Sequence, residues 1–326
     1  MNPQLYLRPA DWSELDRAAQ DGAAYVAGAT EMIPLMRAAV ARPVMLIDLA
    51  RVLPAAIEIG PECIAIGALA RLGDVAAHEG VRASAPAICQ ALLASGSAQI
   101  RNMATVGGSL LQRTRCSYFR DAACRCNKRR PGSGCPVLDS DMRQAALFGA
   151  SARCAAIHSS DLAVVLSALD ARLHLQMPAG RSREISIHEF YRLPGESPER
   201  ETVLEPGELI VRVDVPLARL ERRSTFAKIR QRAAFEFSLV SVAVAVDVQA
   251  GHIAEARIAV GGVAPQPWRL PSVEACLRGY PFMPGAFPEA LSSFEDDARP
   301  NEHNRFKLPL SRNLILRCLD ELARAA

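Results

Sequence analysis

The segment Ala24-Tyr-Val-Ala-Gly-Ala-Thr-Glu-Met-Ile-Pro-Leu-Met36 passes from a strand pattern to a helical one across a turn of small residues. Ala24–Val26 reads as a strand and Ala27–Thr30 as the turn. Met32, Ile33, Leu35 and Met36 form the apolar side of the helix that follows Glu31. Strand–turn–helix with small residues at the turn leaves backbone N–H groups free near a helix start, a seat for a phosphate or pyrophosphate. A plain tight turn reads the same way. A second small-residue loop lies at Ile100-Arg-Asn-Met-Ala-Thr-Val-Gly-Gly-Ser-Leu110, where paired glycines permit positive φ and close approach to a ligand. Neither loop is Gly-x-Gly-x-x-Gly or Gly-x4-Gly-Lys-Ser/Thr, so the nicotinamide fingerprint and the Walker A loop are both absent.

Working outward, Asp11-Trp-Ser-Glu14 reads as a capping box for a helix running to about Gln20 and stopping near Gly22. Val44–Leu49 is a buried strand. Ile57 and Ile59, then Ile64 and Ile66, alternate about Gly60-Pro61 as in a hairpin. Helical segments follow at Gly73–Glu79 and Ala85–Ala94. The chain changes character at about Pro216–Arg223. Beyond it Ser224–Ile229, Leu239–Val248 and Ile253–Val260 read as antiparallel strands, with Ala250-Gly251 at the last turn. Helices at Ser272–Leu277 and Ser311–Arg324 complete an α+β unit.

A length of 326 residues suggests two domains. A net charge of +3 is too small to imply nucleic acid. Apolar runs such as Val242–Val246 are too short to span a bilayer, and the first residues lack the pattern of a signal peptide.

Five of the nine cysteines crowd into one arginine-rich stretch: Cys116, Cys124, Cys126, Cys135 and Cys154. Soft, anionic thiolates grouped in this way suit a metal or an iron–sulfur cluster. An odd total and a chain long enough to build a core disfavour disulfides. The spacing Cys-x7-Cys-x-Cys-x8-Cys differs from paired zinc ribbons, yet zinc stays open beside iron–sulfur on residue type. Basic residues surround the cysteines (Arg113, Arg115, Arg120, Arg125, Lys128, Arg129, Arg130), either to offset cluster charge or to dock an acidic partner. Ala155-Ala-Ile157 reads as a buried strand.

The two small-residue loops resemble those of one family in order and spacing. So do Ile47-Asp-Leu49, Ser160-Asp-Leu-Ala-Val-Val-Leu-Ser-Ala-Leu-Asp-Ala171, Val240-Ser-Val-Ala243 and Val260-Gly-Gly-Val-Ala-Pro265. The family is the FAD-binding medium subunit of xanthine dehydrogenase and CO dehydrogenase type molybdenum hydroxylases. The added stretch at about 112–156 is similar to a narrower branch, the FAD subunit of bacterial periplasmic aldehyde oxidoreductases, which carries a [4Fe-4S] cluster. Two departures stand out. Ala29 replaces a frequent glycine, which calls for negative φ or an altered loop, and Glu31 replaces a shorter Asp or Asn.

The resemblance implies an α+β fold. A two-part PCMH-type (vanillyl-alcohol-oxidase-like) FAD-binding domain would occupy 1–218, in parts of about 1–52 and 53–218. A CO dehydrogenase flavoprotein-type C-terminal domain would occupy 222–326. It implies FAD contacts from Ala27, Gly28, Ala29, Thr30, Glu31, Asn102, Thr105, Gly107, Gly108, Ser109, Asp161 and Lys228, with no catalytic residue. The Asp161 contact would be to a ribose or adenine-side hydroxyl, or Asp161 would be a plain helix cap. It implies cluster ligands Cys116, Cys126, Cys135 and Cys154, with Cys116, Cys124, Cys126 and Cys135 the alternative set. The implied role is electron transfer within a heterotrimer: a molybdenum-cofactor subunit oxidises an aldehyde or related substrate, and a [2Fe-2S] subunit relays electrons to FAD. No nucleic acid and no membrane span are expected. The expected location is the cytoplasm, or the periplasm by co-export with a partner bearing a twin-arginine signal. The rival reading is a non-enzymatic zinc protein that docks a partner or RNA.

Overall fold

A computed structural model describes residues 5–19, 22–140, 143–217, 219–233 and 236–325. Gln20, the expected end of the first helix, lies outside them. The first sheet is small and parallel, with β1 (Leu5–Leu7), β3 (Met45–Asp48) and β2 (Ala23–Val26) side by side in that order. The helix Trp12–Ala18 connects β1 to β2, the crossover that parallel strands of one sheet require. Asp11 caps it, accepting from the Glu14 amide at 2.8 Å, while Glu14 reaches back to the Ala10 amide at 2.7 Å.

The second sheet has five strands in the order β4 (Ile57–Ile59), β5 (Cys63–Gly67), β8 (Leu209–Pro216), β6 (Arg172–Gln176) and β7 (Ser182–Ser186). The expected hairpin is β4–β5, paired from Ile57 with Ile66 to Ile59 with Ile64. The expected helices appear as Leu72–Ala77 and Pro86–Ala94, with another, Glu79–Ser84, between them.

The third sheet is antiparallel in the order β12 (Trp268–Arg269), β11 (His252–Gly261), β10 (Val240–Gln249) and β9 (Ser224–Ile229). Ala250 and Gly251 turn between β10 and β11 at φ 50° and 77°, the left-handed pair that a tight hairpin demands. The last helix starts at Lys307, earlier than Ser311, because Pro309 falls in its first turn, where the missing N–H costs nothing.

The helix Asp161–Ala168 is buried on every side, as an all-round apolar helix must be. It packs on β10, β11 and the helix Pro86–Ala94. Gly261 allows this approach, since a Cβ there would lie 2.5 Å from both Val164 and Ser241. The core continues through Ala243, Ala245 and Ala259 into the third sheet, so the two parts share apolar contacts. Ala155-Ala-Ile157 is no strand. Ala155 is fully buried, but the segment is irregular and its ladder reduces to one bond from the Ala146 amide to the Ala155 carbonyl.

Lys307 is fully buried and donates to the carbonyls of Gly262 at 2.8 Å and Ala145 at 3.3 Å. Burial pushes its ammonium down to about 8. Between that value and the free lysine value of about 10.4, the unfolded chain still binds a proton that the folded chain has released. Stability therefore rises with pH through this window. Denaturant titrations at pH 7.5 and 9.5 should show the wild type gaining on Lys307→Met as pH rises; a pH-independent difference would contradict this.

Candidate cofactor site

The two small-residue loops meet. Gly28 lies against the backbone of the second loop so closely that a Cβ would sit 1.8 Å from the Met103 carbonyl oxygen. Glycine is obligatory there for approach, and not for φ. Between the first and second sheets this contact shapes a cleft of about 400 Å³. One wall is Tyr25–Met32 with Leu35. The other is Ala68, Leu69, Thr105, Gly107, Gly108 and Leu111, and Leu204 and Glu208–Ile210 close it.

Ala29 has φ 59°, not the negative value expected for alanine. The left-handed turn turns successive amides the same way, into an anion-binding concavity. Among the described residues no acceptor takes the amide hydrogens of Gly28, Ala29 or Thr30. The first loop therefore offers a run of unclaimed donors.

The second loop differs from expectation. Gly107 and Gly108 are not at positive φ; they belong to the helical turn Val106–Leu110, capped by Thr105, whose hydroxyl accepts from the Gly108 amide at 3.2 Å. The Val106 and Gly107 amides are bonded to the carbonyls of Ala70 and Ala68. Gly107 packs against Ala68, whereas a Cβ on Gly108 would meet only the Thr105 hydroxyl, at 3.0 Å. This loop supplies a close wall and few free donors.

Other expected residues stand apart from the cleft. Asn102 is exposed beside Gly73. Ser109 meets Ser160 at 3.1 Å. Ser160, not Asp161, caps the following helix. The Asp161 carboxylate is buried and accepts from Lys228 at 2.7 Å, Ser95 at 2.9 Å and Ser238 at 3.4 Å. Asp161 and Lys228 are thus brought to each other.

Four thiols of the cysteine loop, Cys116, Cys126, Cys135 and Cys154, line one small cavity with Tyr118, Phe119, Asn127 and Lys128. Cys124 is outside it and donates to Asp121 at 3.4 Å. All nine cysteines are free. Asn127 shapes the loop: its side chain binds the Gly134 amide at 2.7 Å and the Arg153 carbonyl at 2.9 Å. Cys135 is held down to about 6, first by a hydrogen bond from the Cys154 thiol and further by the amides of Ala155, Val137 and Leu138. Cys154 is pushed up for the same reason, with burial adding to it. Burial raises Cys116, opposed by the amides of Phe119 and Tyr118.

Amides aimed at sulfur stabilise thiolates and the anionic centres they bind. Among the described residues no three His, Cys, Asp or Glu side chains are grouped to chelate a single ion. A four-iron cluster makes a different demand, because it spreads its thiolates over separate irons. Four soft donors around one cavity fit that demand.

Sequence reasoning missed the ion network joining cleft and loop. Glu31, on the cleft wall, meets Arg115 at 2.9 Å, Arg120 at 2.5 Å and the Arg113 amide at 3.1 Å. Arg113 also lines the cleft and pairs with Glu201, which holds Lys128 at 2.9 Å. The signal was the Arg-Thr-Arg run immediately before Cys116. Glu208 at the cleft edge was missed as well. Arg183 grips it with two bonds of 2.7 Å and lowers its carboxyl below the usual range.

Comparison with known proteins agrees with this geometry. A family described as "FAD binding domain in molybdopterin dehydrogenase" matches residues 2–218, and "CO dehydrogenase flavoprotein C-terminal domain" matches 225–322. The chain is 42% identical over 301 residues to the aldehyde oxidoreductase FAD-binding subunit PaoB of Escherichia coli K12, covering 92% of this chain and 91% of that one. It is 25% identical to the glyceraldehyde dehydrogenase medium chain of Sulfolobus acidocaldarius, over 86% and 82% of the two chains. Among solved structures, a chain of CO dehydrogenase from Oligotropha carboxidovorans has the same fold, with a TM-score of 0.75 at 18% identity over 100% of this chain and 99% of that chain. A chain of quinoline 2-oxidoreductase from Pseudomonas putida 86 gives 0.74 at 22% identity over 99% and 98%. With this fold, a cleft built from two abutting small-residue loops, and matches that run almost end to end, the chain belongs to the FAD-binding subunits of the molybdenum hydroxylases.

Proposed function

We propose that this chain is the FAD- and [4Fe-4S]-carrying electron-transfer subunit of a molybdenum-dependent aldehyde oxidoreductase. It would work beside a large molybdenum-cofactor subunit and a small [2Fe-2S] subunit, passing electrons through FAD to an external acceptor. Family membership removes the reading of a non-enzymatic zinc protein. The observation that carries the finer reading is the convergence of four thiols on one cavity, tied by arginines to the wall of the flavin cleft. The aldehyde class rests on the 42% identity to the Escherichia coli subunit.

FAD, when bound, takes up two electrons and releases them singly or in pairs. The chain's own residues supply position and electrostatics. The amides of Gly28, Ala29 and Thr30 would hold the pyrophosphate. Gly108 would keep the opposite wall clear, and Thr105 has a hydroxyl proton to donate while its oxygen caps the Gly108 amide. Asp161 and Lys228 would hold in place the buried helix whose cap, Ser160, meets Ser109. Cys116, Cys126, Cys135 and Cys154 would hold the cluster.

The domain division we propose is a flavin domain at about 1–218, carrying the cysteine insertion at about 112–156, and a C-terminal domain at 222–326. Among the described residues no helix is long and apolar enough to cross a membrane. We place the complex in the cytoplasm, or in the periplasm where a partner carries a twin-arginine signal.

Gly108→Val tests the cleft. The backbone there suits any residue, and only the Thr105 hydroxyl is close, so the variant should fold. Its side chain would occupy the space a cofactor needs. Flavin content after purification should fall to near zero, with a thermal midpoint close to that of flavin-stripped wild type. Full flavin content would show that this cleft is not the cofactor's.

A further inference from the structure

We propose that Glu31 couples the two cofactors, so that a loaded cysteine loop strengthens FAD binding. This rests on the reading above that FAD occupies the cleft and a cluster the loop. Glu31 belongs to the cleft wall, immediately after the free amides of Gly28–Thr30. Among the described residues, every partner of its carboxylate comes from the cysteine loop: the side chains of Arg115 and Arg120 and the amide of Arg113.

Arg120 is in turn fixed by the carbonyls of Thr114 at 2.9 Å and Arg113 at 3.0 Å, in the three residues before Cys116. Beneath the ion pairs, Leu35 of the cleft-side helix packs on Phe119 and Cys126. The loop has little regular structure, and on this proposal a group held by its cysteines would stiffen it further. Once ordered, it presents two guanidiniums that pin Glu31 and with it the turn carrying the amides. Two sites that bias one shared element are linked reciprocally.

The test uses the co-expressed complex, stripped of flavin and titrated with FAD by fluorescence quenching, with iron counted in parallel. Glu31→Gln keeps shape and removes charge. Arg120→Gln breaks the tie from the loop side and leaves every sulfur in place. Both should retain their iron and bind FAD about tenfold more weakly, within the usual range of site-to-site coupling. Cys126→Ser should lose the cluster's iron and weaken FAD by a similar factor. The double variant Glu31→Gln/Cys126→Ser should be no weaker than Cys126→Ser by itself, because both changes remove one linkage.

If Cys126→Ser loses iron yet binds FAD within about twofold of wild type, or if the two effects multiply in the double variant, the coupling is overturned and the cofactor assignment stands. A wild type that binds no FAD, or a Cys126→Ser protein that keeps its iron, overturns the cofactor assignment and the coupling with it.

Discussion

Lys228→Ala is expected to destabilise the protein by roughly 3–5 kcal/mol, the usual cost of stranding one partner of a buried ion pair. The side chains of Lys228 and Asp161 are 5% and 4% exposed, at 2.7 Å from each other. Lys228 is on β9 of the C-terminal part, and Asp161 begins the buried helix of the first part. Ser95 and Ser238 also donate to this carboxylate, but two hydroxyls cannot offset a full charge in a low-dielectric interior. The pair need not add much net stability, because desolvating two ions offsets most of their attraction. Asp161→Asn/Lys228→Met should therefore recover most of the loss. Denaturant unfolding of the three variants checks this. A Lys228→Ala loss below about 1 kcal/mol would mean that water or another cation reaches the carboxylate.

Serine substitutions in the cysteine loop should separate into two groups. Cys116→Ser, Cys126→Ser, Cys135→Ser and Cys154→Ser should each lose or severely destabilise the cluster, since a hydroxyl is a hard, usually protonated donor in place of a soft thiolate. Cys124→Ser should leave it nearly intact, because Cys124 faces Asp121 outside the shared cavity. Adjacent alternating residues such as Cys124 and Cys126 are also awkward co-ligands of one cubane. Iron counts and electron paramagnetic resonance of the reduced variants decide the matter. Signal lost in Cys124→Ser and kept in Cys154→Ser would assign the alternative set, with Cys154 a buried core thiol.

What was legible in the sequence was local. Small residues between a strand and a helix, alternating isoleucines about Gly60-Pro61 and five clustered cysteines report their neighbourhoods directly. What escaped was set by tertiary contact. Strands β6 and β7 carry Arg172, His174, Arg183 and Glu184, charges that mask their alternation but pair across the sheet, as Arg172 does with Glu184. Ala29 called for negative φ or an altered loop; its φ is positive, in a left-handed turn held where Gly28 packs against Met103. Gly107 and Gly108 were read as a flexible pair, when one serves close packing on Ala68 and the other openness. Asp161 read as a cap or a cofactor contact, since its lysine comes 67 positions later. Nothing in the residues around Glu31 announces that its partners lie more than eighty positions on, beside Cys116.

One chain is expected to hold both FAD and a four-iron cluster. The most direct measurement is acid-extracted flavin and total iron in the purified complex, set against the same complex carrying Cys126→Ser. One FAD per chain in the wild type, and about four fewer irons in the variant, is the predicted result. A complex whose iron is unchanged by Cys126→Ser, or a chain that is colourless and carries zinc, would contradict it.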